Sequence, residues 1–252
     1  MSSPEPNPAR STATKPVSVS VVIPAFNEEA RLPVTLTKVL KYLEETHPDH
    51  EVLVVDDGSR DHTADVAESF RDKDPALRVL RLERNRGKGA AVRTGVLAST
   101  KDWVLVTDAD LSTPIEELAA LLRWAALGYE VVIGSRGLPQ SDIRLRQPRY
   151  RELMGRGFNL LVRSLLLGGF SDTQCGFKLY RGDVGRDLFG RSELDGFAYD
   201  VEILLMAKQK HRVREVPVVW YHAGNSKVSP GRDAAKMALD LVKMRIARRH
   251  RG

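Results

Sequence analysis

Two aspartates, Asp108 and Asp110, close the apolar run Trp103-Val104-Leu105-Val106 with one residue between them. In an extended segment alternate side chains point the same way, so this spacing predicts two carboxylates held side by side. Two ionised carboxylates so placed repel one another unless a cation or a hydrogen-bond network lies between them. A hard cation held by one or two carboxylates takes its remaining ligands from substrate phosphates and water. Asp108 and Asp110 are therefore read as a candidate ligand pair for Mg2+ or Mn2+. The competing reading is structural: a loop in which Thr113 caps the next helix and Pro114 takes its first position.

The elements that must position this pair repeat one pattern. A strand over Val17 to Ile23, stopped by Pro24, leads to Asn27-Glu28 and a helix carrying Leu32, Leu36, Val39, Leu40 and Leu43 at spacings of three and four. A second strand, Glu51 to Val55, ends in Asp56-Asp57-Gly58-Ser59, with a helix from about Asp61 to Arg71. A third, Leu77 to Leu82, leads to Asn85-Arg86-Gly87-Lys88-Gly89 and a helix of small residues through Ala98. After the aspartate pair come a helix over Ile115 to Leu127 and a fifth strand, Tyr129 to Ile133, ending at Gly134-Ser135-Arg136. Continuous apolar strands alternating with helices predict an α/β fold, a mostly parallel Rossmann-like sheet with helices on both faces. Ligands of such sheets bind beyond the carboxyl ends of the strands. The polar clusters all fall there, so topology alone predicts that they converge on one rim suited to a nucleotide diphosphate and a metal.

Composition narrows the choice. The chain has 252 residues, 42% apolar and 29% charged, with a formal charge of +6. That is a globular protein with a modest attraction for anions. The first strand is not followed by G-x-G-x-x-G, and G-x-x-x-x-G-K-[ST] occurs nowhere, which excludes the usual dinucleotide and P-loop readings. Aromatic content of 6% argues against a stacking nucleic-acid face. The single Cys175 excludes an internal disulfide framework and fits a reducing compartment. Neither a signal peptide nor an apolar run of about 18 residues is present, so the expected location is cytoplasmic, peripheral at the inner face of the membrane. Residues 1–16 read as a disordered tail, 17–230 as the folded domain and 231–252 as a basic C-terminal helix that suits a membrane surface or a solvated end. Arg136, Arg144, Arg146, Arg149, Arg151 and Arg156 crowd a stretch without periodicity, a density of like charge that an anion would relieve. An apolar helix follows over Phe158 to Leu167, and a further strand over Val213 to Trp220.

The segments Val22-Ile23-Pro24-Ala25-Phe26-Asn27-Glu28, Val54-Val55-Asp56-Asp57-Gly58-Ser59 and Thr107-Asp108-Ala109-Asp110 together resemble the family 2 glycosyltransferases of GT-A fold. Asp172 to Tyr180 and Gly196 to Leu204 resemble the branch of dolichyl-phosphate β-glucosyltransferases and related polyprenyl-phosphate enzymes. The resemblance implies that Pro24, Asn27 and Glu28 lie at the nucleoside, with Glu28 near the ribose. Asp56 would accept from the uracil with Asp57 nearby, and Lys88 would approach the base or diphosphate. Asp108 and Asp110 would flank the metal diphosphate, with Asp110 the direct ligand. Arg136 and Arg151 match the arginines that contact the acceptor phosphate. Asp200 stands where relatives that use hydroxyl acceptors place a base; in this branch it is expected to position the sugar or the acceptor, with Asp172 and Gln174 as further sugar-side candidates.

A phosphate monoester is ionised near neutral pH and needs no strong base to attack an anomeric carbon. The expected reaction is therefore single displacement with inversion, from UDP-glucose to a polyprenyl phosphate, dependent on Mg2+ or Mn2+. Two alternatives stay open: a soluble transferase with another sugar and a hydroxyl acceptor, in which Asp200 is the base, and a nucleotide-sugar-binding protein without turnover. Oligomeric state is not legible.

Overall fold

The computed structural model describes residues 17–145, 168–222 and 232–251, and within these not the side chains of 145, 232–235 and 247–251. The expected tail 1–16, Arg146, Arg149, Arg151, Arg156 and the apolar helix from Phe158 to Leu167 lie outside the described residues.

The first half follows the predicted alternation. In order it forms β1 (Val19–Ala25), α1 (Leu32–Thr46), β2 (His50–Asp56), α2 (Thr63–Glu68), β3 (Leu77–Arg81), α3 (Lys88–Ala98), β4 (Trp103–Val106), a 3-10 turn (Ile115–Glu117), α4 (Leu118–Ala126) and β5 (Val131–Ser135). The second half adds β6 (Asp142–Leu145), β7 (Lys178–Arg181), α5 (Gly182–Gly190), α6 (Tyr199–Lys210), β8 (Val213–Pro217), β9 (Val219–Tyr221) and α7 (Arg232–Arg251). Seven strands make one sheet in the order β3-β2-β1-β4-β7-β5-β8. All are parallel except β7, which runs antiparallel between β4 and β5.

Strand alternation splits the core in two. Val19, Val21, Ile23, Val52, Val54 and Leu105 face one side and pack with Leu32, Leu36, Val39 and Leu43 of α1 and Leu118 and Leu121 of α4. Val22, Leu53, Val55, Val104 and Val106 face the other and meet Val92 and Val96 of α3, Leu188 of α5, Leu204 of α6 and Leu241 of α7. Helices therefore cover both faces, as continuous apolar strands require. Each fully buried leucine or valine contributes about 1.5–3 kcal/mol relative to exposure.

Three local expectations are corrected. Pro24 does not end the first strand: β1 continues to Ala25 along β2, and Pro24 pairs with Val55. Pairing with β4 has already stopped at Val22, so a residue without an N–H is tolerated there. The strand read over Val213 to Trp220 breaks at Val218 into β8 in the main sheet and β9, which pairs with β6. The arginine-rich loop is thus partly ordered as β6, because Ile143 finds a partner in Trp220.

Candidate active site

Every parallel strand from β2 to β5 delivers polar residues to its carboxyl end. Antiparallel β7 adds its first residue, Lys178, to the same rim, opposite Val106 of β4 and Ile133 of β5. The site is therefore built from chain segments that are distant in sequence.

After β1, Asn27 adopts φ 54, and its Oδ1 accepts from the Arg60 N–H at 2.8 Å, which ties this loop to the one after β2. Glu28 is buried, and both its oxygens accept from the Arg31 guanidinium, at 2.6 Å from Nε and 2.5 Å from Nη2. Arg31 also reaches within 4.0 Å of Asp110 Oδ2. The sequence reading missed Arg31; its signal was an arginine three residues after Glu28, a spacing that brings side chains together in a helical turn.

After β2, Asp56 accepts from the Ser59 N–H at 3.0 Å. Asp57 points elsewhere, accepting from the Arg86 and Gly87 N–H groups at 2.7 and 2.9 Å. Burial pushes the Asp57 carboxyl up, and the two backbone donors offset part of that. Asp57 thus acts as a staple for the turn into α3. Gly87 completes that turn at φ 112, with its face against the Asp195 carbonyl, where any side chain would collide.

That turn delivers Lys88, whose Nζ lies 2.6 Å from Asp108 Oδ1. Burial alone would lower the Lys88 ammonium, but Asp108 and then Asp200 outweigh it and raise it. Burial would likewise raise the Asp108 carboxyl, yet Lys88, with help from Lys178 and Arg136, holds it below its usual range. Asp110 goes the other way, raised by burial and by the Asp108 charge. The two aspartates do not lie on an extended strand as expected. They occupy a turn in which Leu111 N–H donates to the Asp108 carbonyl at 3.1 Å, Ser112 N–H donates to Asp110 Oδ1 at 2.9 Å, and Leu111 takes φ 46. Nor does Thr113 cap the following helix: Pro114 stands before the 3-10 turn, and the Thr113 hydroxyl lies 3.8 Å from Cys175 Sγ.

After β5, Arg136 is gripped by Asp172 through Nε at 2.6 Å, Nη2 at 2.9 Å and its own backbone N–H at 3.1 Å. The guanidinium also lies 5.6 Å from the Trp220 ring centre. Asp172 further accepts from Gln174 N–H at 3.0 Å, and its own N–H donates to Glu215 at 2.7 Å. Although burial alone would raise it, Arg136 brings the Asp172 carboxyl down to about 2. The same pair raises Arg136 well above its ordinary value against the opposing effect of burial. Asp172, read from the sequence as a sugar-side carboxylate, is therefore committed to Arg136. Gln174 differs: its Nε2 is buried and donates to nothing among the described residues.

Lys178 was not foreseen. It is fully buried, and its Nζ donates to Asp200 Oδ1 at 2.7 Å and to the Cys175 carbonyl at 2.5 Å. A lysine directly after the apolar Phe177 and before Leu179-Tyr180 was the available signal. Gly176 was also missed. A side chain there would collide with the Asp108 carboxylate, so the residue beside Cys175 must be glycine for Asp108 to lie where it does. Cys175 is buried with its thiol raised by burial and then by Asp172, which suits packing and not nucleophilic attack.

The rim thus presents carboxylates, two lysines and two paired arginines along one edge of the sheet, a charge pattern suited to a diphosphate and a second anion. Known proteins agree with the architecture. Residues 20–189 match the family described as glycosyl transferase family 2. The dolichyl-phosphate beta-glucosyltransferase of Dictyostelium discoideum is 36% identical over 91% of this chain and 74% of its own length. The Homo sapiens enzyme of the same name is 35% identical over 90% and 75%. Glucosyl-3-phosphoglycerate synthase from Mycobacterium tuberculosis, solved with Mn2+, UDP-glucose and phosphoglyceric acid, superposes with a TM-score of 0.69 at 21% identity, covering 91% of this chain and 79% of that one. Mannosyl-3-phosphoglycerate synthase from Rubrobacter xylanophilus gives 0.65 at 23% identity, covering 93% and 74%. With an α/β sheet of this order and a family match across most of its length, the chain belongs to glycosyl transferase family 2 and is a glycosyltransferase of GT-A fold.

Proposed function

We propose that this glycosyltransferase moves glucose from UDP-glucose to the phosphate of a dolichyl or other polyprenyl phosphate, with inversion at the anomeric carbon. The observation that carries this reading is the buried pair of Lys178 and Asp200. A base for a hydroxyl acceptor must take up a proton, and if Asp200 did so the buried Lys178 ammonium would lose its counter-ion, at a cost of several kcal/mol. A phosphate acceptor needs no such base. The names of the relatives from Dictyostelium discoideum, Homo sapiens and Saccharomyces cerevisiae, all dolichyl-phosphate beta-glucosyltransferases, support the same acceptor class.

The residues fit a hard divalent ion. Asp108 and Asp110 supply carboxylate oxygens alone; Asp110 is raised by burial and then by the Asp108 charge, a repulsion that a cation would relieve. Among the described residues no group of three or more His, Cys, Asp or Glu side chains converges, so diphosphate and water would complete the shell. Asp110 would hold Mg2+ or Mn2+ with Asp108 beside it, and the bound ion would offset charge developing on the diphosphate.

The chain's own groups do the rest. Pro24, Asn27 and Glu28 frame the nucleoside, with Glu28 held by Arg31 to face the ribose. Asp56 faces the base, and Lys88 neutralises the departing diphosphate. Gln174 offers its unpartnered amide to a sugar hydroxyl. Arg136, locked by Asp172, receives the acceptor phosphate, with Arg151 assigned to the same phosphate. Asp200 holds Lys178 and, through its charge, Lys88. In-line placement of two neutralised anions lets single displacement proceed.

The test is transfer of labelled glucose from UDP-glucose to a short-chain polyprenyl phosphate with Mn2+ or Mg2+, beside an EDTA control, Asp110→Asn and Lys178→Met/Asp200→Asn, which leaves no member of the buried pair charged and alone. Transfer that needs the metal and Asp110 and persists in the double variant is expected. Slow metal-dependent hydrolysis of UDP-glucose without transfer would point to a hydroxyl acceptor, with Asp200 as its base.

A further inference from the structure

We propose that the outward face of α7 lies flat on an anionic lipid bilayer. Leu241 of α7 is fully buried in the second core with Met244 packed beside it, so one side of the helix is fixed to the body. The opposite side carries Leu239, Val242 and Ile246, which are 62%, 48% and 52% exposed. At intervals of three and four residues these fall within about 60° of arc and form one apolar stripe turned away from the protein. A helix that needs only one face for the core has no folding reason to be apolar on the other.

The surroundings of the stripe say what covers it. Lys236 precedes Leu239 by one turn and Lys243 follows it by one; both are exposed, Lys243 by 77% although its Nζ lies 3.9 Å from Asp240 Oδ1. The sequence continues into Arg248, Arg249 and Arg251. An apolar stripe flanked by cations is what binds in the plane of an anionic membrane, where lysine stems follow the apolar surface and their charges meet headgroups. A second copy of this chain fits poorly, since pairing two stripes would bring Lys236 and Lys243 of each copy against like charges. Insertion is excluded for this element: no described helix is long and apolar enough to cross a membrane.

The placement also has a geometric use. Gly196 lies beneath Lys236, with an added Cβ only 3.8 Å from its Nζ, and residues 194–196 cover the start of α3 at Gly87 and Gly89. Lys236 thus lies over the loop that abuts Lys88, so a docked α7 would set that side of the protein near the bilayer. The inference stands on α7 alone and does not require the lipid-phosphate reading.

Co-sedimentation of the full chain with phosphatidylcholine vesicles, with and without phosphatidylglycerol, tests it in the absence of any sugar nucleotide or acceptor. Binding to the anionic vesicles is expected to be at least about tenfold stronger, and to weaken as salt rises from about 0.1 to 1 M and the screening length shrinks from about 10 to 3 Å. Val242→Ser/Ile246→Ser and, separately, Lys236→Gln/Lys243→Gln should each lower binding about tenfold with an unchanged thermal midpoint, because these side chains are exposed. Absence of binding to anionic vesicles at low salt, serine variants that bind like the parent, or a dimer in ultracentrifugation that the serine variants dissolve would each overturn the proposal. Glucose transfer to a detergent-dispersed short-chain acceptor, measured on the same variants, reports separately on the active-site reading.

Discussion

The carboxylate of Asp108 rests on the backbone of Gly176: a Cβ added there would come within 2.7 Å of Oδ1 and closer still to Oδ2. Gly176→Ala should therefore displace Asp108 from its ion pair with Lys88 without opening a cavity. Misplacement on this scale costs about 100-fold in turnover, and the expected loss is in kcat/KM with a small change in the urea midpoint. Activity within a factor of two of the parent would show that Asp108 tolerates the shift.

Lys178 and Asp200 should respond as a unit. Replacing Lys178 with Met strands a buried carboxylate, and breaking such pairs costs about 3–5 kcal/mol. Lys178→Met/Asp200→Asn should recover most of that loss, because neither partner is then left charged and alone. Equilibrium urea unfolding of both single variants and the double variant measures the coupling, and simple additivity would contradict it.

Asp172 should make stability depend on acid. Its folded carboxyl sits near about 2, below the ordinary value near 3.8, so it contributes stability above the unfolded value that is lost as pH falls toward 2. The contribution is of the order of 2 kcal/mol at neutral pH. The stability advantage of the parent over Asp172→Asn should shrink steadily from about pH 4 to pH 2. The same variant should raise KM for the acceptor at pH 7, since Arg136 loses the partner that aims it.

Asp57→Ala should report on the turn it staples. Losing two charge-assisted bonds to the Arg86 and Gly87 N–H groups should cost about 1–3 kcal/mol. Hydrogen exchange at residues 86–88 should quicken, and binding of free uridine should change less than binding of UDP. An equal loss for both ligands would place Asp57 at the nucleoside instead.

Most of the architecture was legible because it depends on local periodicity. The apolar runs at β1, β2, β4 and β5, and the leucines of α1, carry their burial pattern within a dozen residues. Their polar ends had to meet, since a parallel sheet puts all its carboxyl ends on one edge. Short strands such as β6 and β9 were less visible, because three or four residues carry too little pattern until the partner strand is known.

The sequence by itself determined the kind of chemistry: which strand ends carry Asp56, Lys88, Asp108, Asp110 and Arg136, and that a parallel sheet sets those ends along one edge. Only the tertiary structure decided which charges are free and which are already spoken for. Asp57 closes on a turn 29 residues away, Asp172 on an arginine 36 away and Asp200 on a lysine 22 away. The antiparallel insertion of β7 brings the last of these pairs to the rim. Side-chain pairing across such separations follows from distance in space, which no local spacing encodes.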